Sequence, residues 1–188
     1  MSPILAAAIA AAALVLILTV STYNRLIRLR NGTENSFGAL DAQLKNRFDL
    51  VPNVVAAVGS YMTHERTLLE GLTALRAQAL SAPTADRRVE LDGQIAQRLR
   101  QLVVAVEAYP DLKASAQFDH LQRTLVEVES QIAAARRAYN AAVTELNNAV
   151  ESFPASAVAG FLSFRRKPVL ETPETERARV DVAALLSR

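Results

Sequence analysis

The first part of the chain is an uninterrupted apolar run. Residues 4–20 contain sixteen apolar side chains and one polar side chain, Thr19. As a helix the run would be roughly 26 Å long, close to a bilayer core of roughly 30 Å, and residues 21–23 extend it to the interface, where the ring of Tyr23 is favoured. The pattern predicts an uncleaved transmembrane anchor over residues 1–22.

Two other interpretations of this run are a buried core helix and a cleavable signal peptide. A signal peptide needs a basic N-terminal region and a cleavage site of small residues. Met1-Ser2-Pro3 carries no charged side chain, and Val20-Ser21-Thr22 is a poor cleavage site. The sequence therefore favours the anchor.

From Asn24 onward, apolar residues recur every three or four positions, as on one buried face of a helix. This face consists of Leu26, Leu29, Thr33, Phe37, Leu40, Leu44 and Phe48. Later helices are expected to pack against it.

Pro52 allows two interpretations of the chain around it. A proline lacks the N–H for a helical hydrogen bond, and Asp49 is a suitable N-cap for a new helix. One helix over residues 24–79 would be roughly 84 Å long, too long for a later helix to cover. We therefore predict a break near Asp49–Pro52. The alternative is three long helices with a kink, because the apolar pattern continues through Val51, Val55, Val58 and Met62.

Two more amphipathic helices come after residues 81–84, where Thr84 is a candidate N-cap. The first should end before Tyr109, and the second should begin between Asp111 and Ser115. The apolar face of the first comprises Leu91, Ile95, Leu99, Leu102 and Val106. The face of the second comprises Phe118, Leu121, Leu125, Val128, Ile132, Ala135, Tyr139, Val143, Leu146, Val150 and Phe153.

These elements predict an all-α protein. After the anchor we expect an antiparallel up-and-down four-helix bundle over residues 23–164 and a polar tail over residues 165–188. The tail contains Pro168 and Pro173 among mixed charges, a composition typical of a surface-bound or mobile segment.

The amino-acid composition excludes some classes of function. Lys and Arg number 21 against 19 Asp and Glu, a net charge of only +2, and aromatic residues are about a twentieth of the chain. A nucleic-acid surface would gather its cations on one face between stacking aromatics, so no nucleic-acid partner is expected. The chain has no cysteine, which excludes disulfides, thiol nucleophiles and cysteine-ligated zinc.

Side chains with catalytic or metal-binding chemistry are sparse. The pair His64-Glu65 lacks a second histidine four residues later, and the other histidine, His120, belongs to a different helix. Glu34, Asp41 and Glu129 lie at helical spacings from Arg28, Arg30, Lys45 or Arg136, which predicts solvated ion pairs. We expect no cofactor, no metal and no enzyme activity.

The arginines after the apolar run predict the orientation of the chain in the membrane. Arg25, Arg28 and Arg30 follow the run and no Lys or Arg precedes it, so the short N-terminus should lie outside and the bundle in the cytosol. If four helices alternate in direction, residues 161–167 return to the membrane beside these arginines. Phe161, Phe164, Arg165, Arg166 and Lys167 would then contact an anionic leaflet. Alternatively, the rings cover the bundle end and the cations cap it.

The dipeptide Tyr-Asn occurs twice, as Tyr23-Asn24 and as Tyr139-Asn140, and forms a weak internal repeat. Tyrosine and asparagine satisfy polar contacts between helices and fix their register. We expect that structural role, with recognition of a partner as the alternative.

Several segments resemble the LemA family of bacterial membrane proteins. They are YNRLIRLRNGTENSF, LDAQLKNRFDLVPNVVAAVGSYMTHE, YPDLKASAQFDHLQRTL, ARRAYNAAV and FPASAVAGFLSF. The chain departs from the family pattern at Phe37, where tryptophan is common, at Ser130-Gln131, which replace an Asn-Arg pair, and at Leu146, which replaces a second tyrosine.

The resemblance implies a membrane helix followed by antiparallel helices, and it implies no enzyme, because the family has no established catalytic activity. We therefore expect a membrane-anchored, non-catalytic scaffold in the bacterial cytoplasmic membrane. Its expected partners are the lipid bilayer, unidentified proteins and further copies of itself. The alternatives are a small-ligand or metal-binding helical module and an enzyme.

Overall fold

The computed structural model describes residues 2–171, so the tail predicted beyond residue 171 lies outside the described residues. The described chain is helical and has no strand, which confirms the predicted all-α class. Its helices are α1 (Pro3–Gly59), α2 (Arg66–Leu80), α3 (Ala85–Ala105), α4 (Pro110–Lys113), α5 (Ala116–Glu151) and α6 (Ala155–Phe161), with 3-10 turns at Thr63–Glu65 and Val106–Ala108.

The described residues form two compact units. The central unit is Asn31–Tyr139. The terminal unit consists of the residues up to Arg30 together with those from Asn140 onward. Helices α1 and α5 each contribute to both units.

The predicted break near Asp49–Pro52 is wrong, because α1 continues through Pro52 to Gly59. Pro52 leaves the carbonyl of Phe48, four residues earlier, without its helical donor. Arg76 of α2 supplies one, since its Nε donates to the Phe48 oxygen over 2.8 Å. Asp49 is not an N-cap; its carboxylate lies 3.1 Å from Nζ of Lys45 within the same helix.

The core of the central unit consists of the predicted apolar faces. Helix α2 packs against α3, and the α1 face around Pro52 is buried at Val51 and Val58, as is Met62 just after the helix. That stretch therefore packs within the chain. Other buried members are Leu40, Leu44, Phe48, Val54, Leu72, Leu91, Ile95, Leu102, Phe118, Val128 and Ile132.

Two helices of the central unit, α3 and α5, begin at a side chain that caps the helix. The Thr84 hydroxyl accepts a hydrogen bond from the Arg87 N–H over 3.2 Å at the start of α3. Ser115 caps α5 in the same way, accepting from the N–H of Phe118 over 3.1 Å. Both bonds satisfy N–H groups that have no partner within the helix, and the predicted Thr84 cap is confirmed.

The terminal unit has a small core in which alanines allow close packing. Leu26, Ala149, Ala155 and Ala159 are buried, with Leu29, Val150, Val158 and Phe164 packed around them. Phe153 was predicted to continue the buried face of α5, but it is 87% exposed. The prediction fails because α5 ends at Glu151, so Phe153 lies in the turn before α6 and outside the helical phase of the buried face.

The N-terminal part of α1 is apolar and uncovered. Of the described residues, this stretch alone forms a helix long and apolar enough to cross a membrane, and none of its apolar window is buried. Residues 4–20 are all exposed. An apolar surface of this length is compatible with lipid contact.

Candidate membrane-proximal site

The first part of the candidate site is the turn of α1 directly after the apolar run. Arg25, Arg28 and Arg30 are exposed there, whereas Leu26 is fully buried in the terminal unit. The helical spacing thus directs Leu26 inward and places the three arginines on the exposed side of the turn.

Phe164 joins the C-terminal part of the terminal unit to this turn. Its ring meets the Tyr23 ring edge-on, with centroids 6.4 Å apart, and the Cζ atom of Arg30 lies 5.9 Å from its centre. Edge-to-face rings and a cation over a ring face are both attractive geometries. Of the predicted contacts between residues 161–167 and the α1 arginines, the structure thus shows the one between Phe164 and Arg30.

A groove of about 450 Å³ lies at this junction. It has apolar lining from Ile27, Leu146 and Leu162, and it is bordered by basic and aromatic side chains. The basic and aromatic lining residues are Tyr23, Arg30, Phe164, Arg165, Arg166 and Lys167. An apolar floor beneath several cations suits a ligand that carries both an anionic group and hydrocarbon.

The two phenylalanines predicted to contact the membrane occupy different environments. Phe164 is half-buried against Tyr23 and Arg30, as the alternative interpretation expects for a ring that covers the end of the helices. Phe161 is 92% exposed, and Leu162 beside it is half exposed. Phe153, which was not among the predicted site residues, also exposes its ring.

The Tyr-Asn residues bind different partners. Tyr139 packs edge-on against Phe37 within the central unit, with ring centroids 5.6 Å apart, and Asn24 is exposed on α1. Asn140 does not bond to another helix. Its amide exchanges two hydrogen bonds with the main chain of Leu170 in the extended segment after α6.

A second candidate site, inside the central unit, is a buried charge cluster. Arg47 of α1 forms two bonds of 3.0 Å to the carboxylate of Asp92 of α3 and also pairs with Glu129 of α5. Arg136 of α5 approaches Asp92 at 4.0 Å. Burial raises the pKa of the Asp92 carboxyl to about 6, although the two guanidinium groups oppose that shift. The cluster joins three helices, and Asp92 is fully buried, so we assign it a structural role.

The two histidines of the described residues do not belong to a cluster of metal-ligating side chains. His64 and His120 are both exposed. Within residues 2–171, no three side chains of His, Cys, Asp or Glu are grouped as a metal ion would require.

Comparison with known proteins agrees with the resemblance of the sequence motifs. Residues 36–183 match the model of the LemA family. The chain belongs to the LemA family. It is similar to Protein LemA of Metamycoplasma hominis, with 29% identity over 88% of this chain and 76% of the relative.

Other relatives share a shorter region of this LemA-family chain. Magnetosome protein MamQ 2 of Paramagnetospirillum magneticum is 33% identical over 44% of this chain, and MamQ of Magnetospirillum gryphiswaldense is 31% identical over the same share. In each case the alignment covers 32% of the relative.

The structure shows what surrounds each position at which this LemA-family chain departs from the family pattern. Phe37 packs on Tyr139, and Leu146 is buried at the floor of the groove, where a tyrosine would add a hydroxyl. Ser130 and Gln131 are exposed on α5. Two of the three departures thus lie in packed regions, and the third lies on the surface.

The predicted ion pairs are partly wrong. Asp41 pairs with Arg88 of α3 at 2.5 Å, and Glu129 pairs with Arg47, so these carboxylates bridge helices. Lys45, expected near Asp41, pairs with Asp49. Spacing along one helix identifies only neighbours on that helix, which is why these bridges were missed.

Proposed function

We propose that this LemA-family protein is a membrane-anchored, non-catalytic scaffold whose terminal unit docks on an anionic membrane surface. The proposal is carried by one observation: the basic and aromatic groove borders the turn of α1 that directly follows its apolar run. The LemA and MamQ relatives carry no catalytic activity in their names, and the interior charge cluster is sealed from solvent at Asp92.

In this proposal residues 1–22 cross the bacterial cytoplasmic membrane with the short N-terminus outside. Arg25, Arg28 and Arg30 hold the following residues on the cytoplasmic side, in accordance with the positive-inside rule. Residues 23–164 form the cytosolic domain, and residues 165–188 form its tail.

We further propose that the cytosolic domain is an antiparallel up-and-down four-helix bundle. Its helices would be α1 beyond Tyr23, α2, α3 and α5. Short connections favour antiparallel neighbours, and the links from α1 to α2 and from α2 to α3 are short. The junction between the first two helices then lies at residues 60–65. The bundle would give protein partners a helical surface tethered to the membrane.

Docking would use the exposed ring of Phe161 and the cations of residues 165–167. Apolar side chains at the interface bury surface in the acyl boundary, and each Lys or Arg close to an anionic leaflet contributes about 1 kcal/mol. Arg166 is also held by Glu151 at 3.0 Å, so it is positioned near this surface. Phe164, which packs inward, supports the groove and does not insert.

A single tryptophan tests the docking, because the chain contains none. We expect Phe161→Trp, in the full-length protein in nanodiscs with anionic lipid, to emit at shorter wavelength and to be quenched by brominated acyl chains. The matched control is Val104→Trp, since Val104 is 72% exposed on α3 of the central unit. It should give neither effect.

Replacing Arg165, Arg166 and Lys167 together with alanine should reduce the quenching of Phe161→Trp in anionic nanodiscs. The same change should have little effect in zwitterionic nanodiscs, where there is no surface charge to attract the cations. Absence of quenching in the parent Phe161→Trp protein, or quenching unaffected by the triple replacement, would contradict docking.

A further inference from the structure

One wall of the groove in the terminal unit is a single face of α1. Tyr23, Ile27 and Arg30 line it, and spacings of four and three residues place them on the same side of the helix. Tyr23 lies roughly 4.5 Å beyond Val20 along the helix, and Arg30 lies roughly 15 Å beyond it. With residues 4–20 across the bilayer, which this inference takes from the proposed function, the groove opens in the headgroup layer.

The opposite wall consists of residues 162–167, which a left-handed turn at the end of α6 directs towards α1. Ser163 has a φ of 56°, and the N–H of Phe164 donates to the Ala159 oxygen over 3.1 Å. A left-handed residue followed by such a bond is a common way to end a helix. The turn brings the ring of Phe164 against α1, so the two walls are in contact at one end of the groove.

The cations of this wall are held in place by α5. The Nε atom of Arg166 lies 3.0 Å from the carboxylate of Glu151. The side-chain amide of Asn147 donates to the Lys167 oxygen over 2.8 Å and accepts the Lys167 N–H over 2.9 Å. Because these bonds already fix the main chain and one guanidinium group, a ligand would have to order few further groups, which favours tight binding.

The lining combines positive charge with an apolar floor. The floor includes Leu146, which is 2% exposed, and Leu162, which is 49% exposed. Guanidinium groups bind phosphate through paired hydrogen bonds, and hydrocarbon is stabilised on an apolar surface. The described residues that line the groove include no carboxylate, and four of them are cationic, namely Arg30, Arg165, Arg166 and Lys167. The ligand that matches both parts is an anionic amphiphile.

We propose that the groove binds one molecule of an anionic phospholipid. The lipid phosphate contacts the guanidinium groups, and the first part of the lipid chains lies on Ile27, Leu146 and Leu162. The groove volume of about 450 Å³ is in the usual range for small-molecule sites, and the rest of the lipid stays in the bilayer. Unlike docking on a charged surface, such a site saturates at one lipid per chain and depends on the groove lining as well as on total charge.

Native mass spectrometry of the full-length protein in non-ionic detergent measures this stoichiometry directly. The protein is titrated with phosphatidylglycerol or with phosphatidylcholine that has the same acyl chains, so that only the headgroup differs. We expect one retained phosphatidylglycerol per chain at saturation. Half-saturation with phosphatidylcholine should need about ten times more lipid, because its headgroup has no net negative charge for the cations to attract.

Leu162→Asp tests whether the lipid lies in the groove. The change places a carboxylate in the lining and should weaken retention of phosphatidylglycerol about tenfold, through repulsion of the phosphate and loss of apolar surface. The matched control is Val169→Asp, which adds the same charge a few residues later. Val169 is 52% exposed and does not line the groove, so retention should change by less than about twofold.

A second pair of variants keeps the test valid if circular dichroism shows that Leu162→Asp misfolds. Arg30→Met removes the guanidinium group but keeps an apolar stem beside the ring of Phe164. It should weaken retention of phosphatidylglycerol about tenfold, as expected for the loss of a hydrogen bond to a charged group. Arg137→Met is the matched control, because Arg137 is an exposed residue of α5 in the central unit. It should leave retention unchanged.

The proposal is overturned if both lipids are retained alike, or if each groove variant weakens retention no more than its control. It is equally overturned if excess glycerol 3-phosphate or inorganic phosphate displaces the lipid, because the site then binds a free anion. The quenching of Phe161→Trp reports docking separately. Loss of the bound lipid with quenching intact rejects only the lipid site, and loss of quenching with the lipid still retained rejects only the docking.

Discussion

Replacing Arg47 with methionine is expected to lower the free energy of unfolding by about 3–5 kcal/mol, the usual cost of removing one partner from a buried ion pair. Arg47 is 3% exposed and Asp92 is fully buried. Without Arg47, the carboxylate of Asp92 loses both of its 3.0 Å bonds and keeps the more distant Arg136 guanidinium at 4.0 Å. Urea unfolding of the full-length protein in non-ionic detergent, followed by circular dichroism, measures the loss.

The matched control is Lys45→Met, two residues earlier on α1. Lys45 pairs with Asp49, but both side chains are about half or more exposed, so the expected loss is below about 1 kcal/mol. Equal losses for the two variants would show that the buried cluster does not stabilise the fold.

The second large effect is a dependence of stability on pH that Asp92 causes. Burial raises its pKa in the folded state to about 6, from 3.8 for the unperturbed side chain. Between these values the folded state binds more protons than the unfolded state, so stability falls as pH rises. The stabilising contribution of the protonated Asp92 carboxyl is complete below about pH 4 and is lost as the pH rises through about 6. A pKa difference of about 2 between the two states corresponds to about 3 kcal/mol.

Asp92→Asn isolates this contribution from other titrating groups. The variant should lack the decline between pH 4 and 6, because an amide does not titrate in this range. The measured quantity is the difference in the free energy of unfolding between the two proteins across that range. Parallel pH profiles would show that Asp92 does not titrate in this window.

The helices and their buried faces were predictable because apolar periodicity alone determines them. The face from Leu91 to Val106 and most of the face of α5 are buried where the spacing places them. A continuous α1 was the alternative interpretation at Pro52, because the apolar pattern continues past it, but the local sequence does not decide between a break and a continuous helix. The donor that compensates for Pro52 is Arg76, 28 residues from the carbonyl that it binds.

The buried charge cluster leaves a signal in the sequence that apolar periodicity by itself overlooks. Arg47 lies between Leu44 and Val51 in the phase of a buried face, and Asp92 lies beside Leu91 in the same way. A charged residue at a buried phase predicts a partner of opposite charge on another helix. The sequence cannot say which helix supplies the partner, because the pairs join residues 45 and 82 positions apart.

The candidate site was predictable in part. Helix direction alone placed residues 161–167 near Arg25, Arg28 and Arg30, and the structure has Phe164 against Arg30. The contact of the segment after α6 with α5 was not predictable. The side chains of Asn140 and Asn147 bind main-chain atoms of Leu170 and Lys167. Main-chain atoms carry no residue identity, so the spacing of the two asparagines has meaning only once the extended segment is located.

We propose that the N-terminal part of α1 anchors the protein in the membrane and that the residues after it lie in the cytosol. The most direct test of this proposal is a protease-sensitive tag fused after Arg188 and combined with a proximity-labelling enzyme. We predict that the tag is protected in intact spheroplasts, is digested once they are lysed, and labels cytosolic and membrane neighbours. Digestion of the tag in intact spheroplasts would contradict the orientation inferred from the three arginines after the apolar run and would place the C-terminal end of the chain on the outer side of the cytoplasmic membrane.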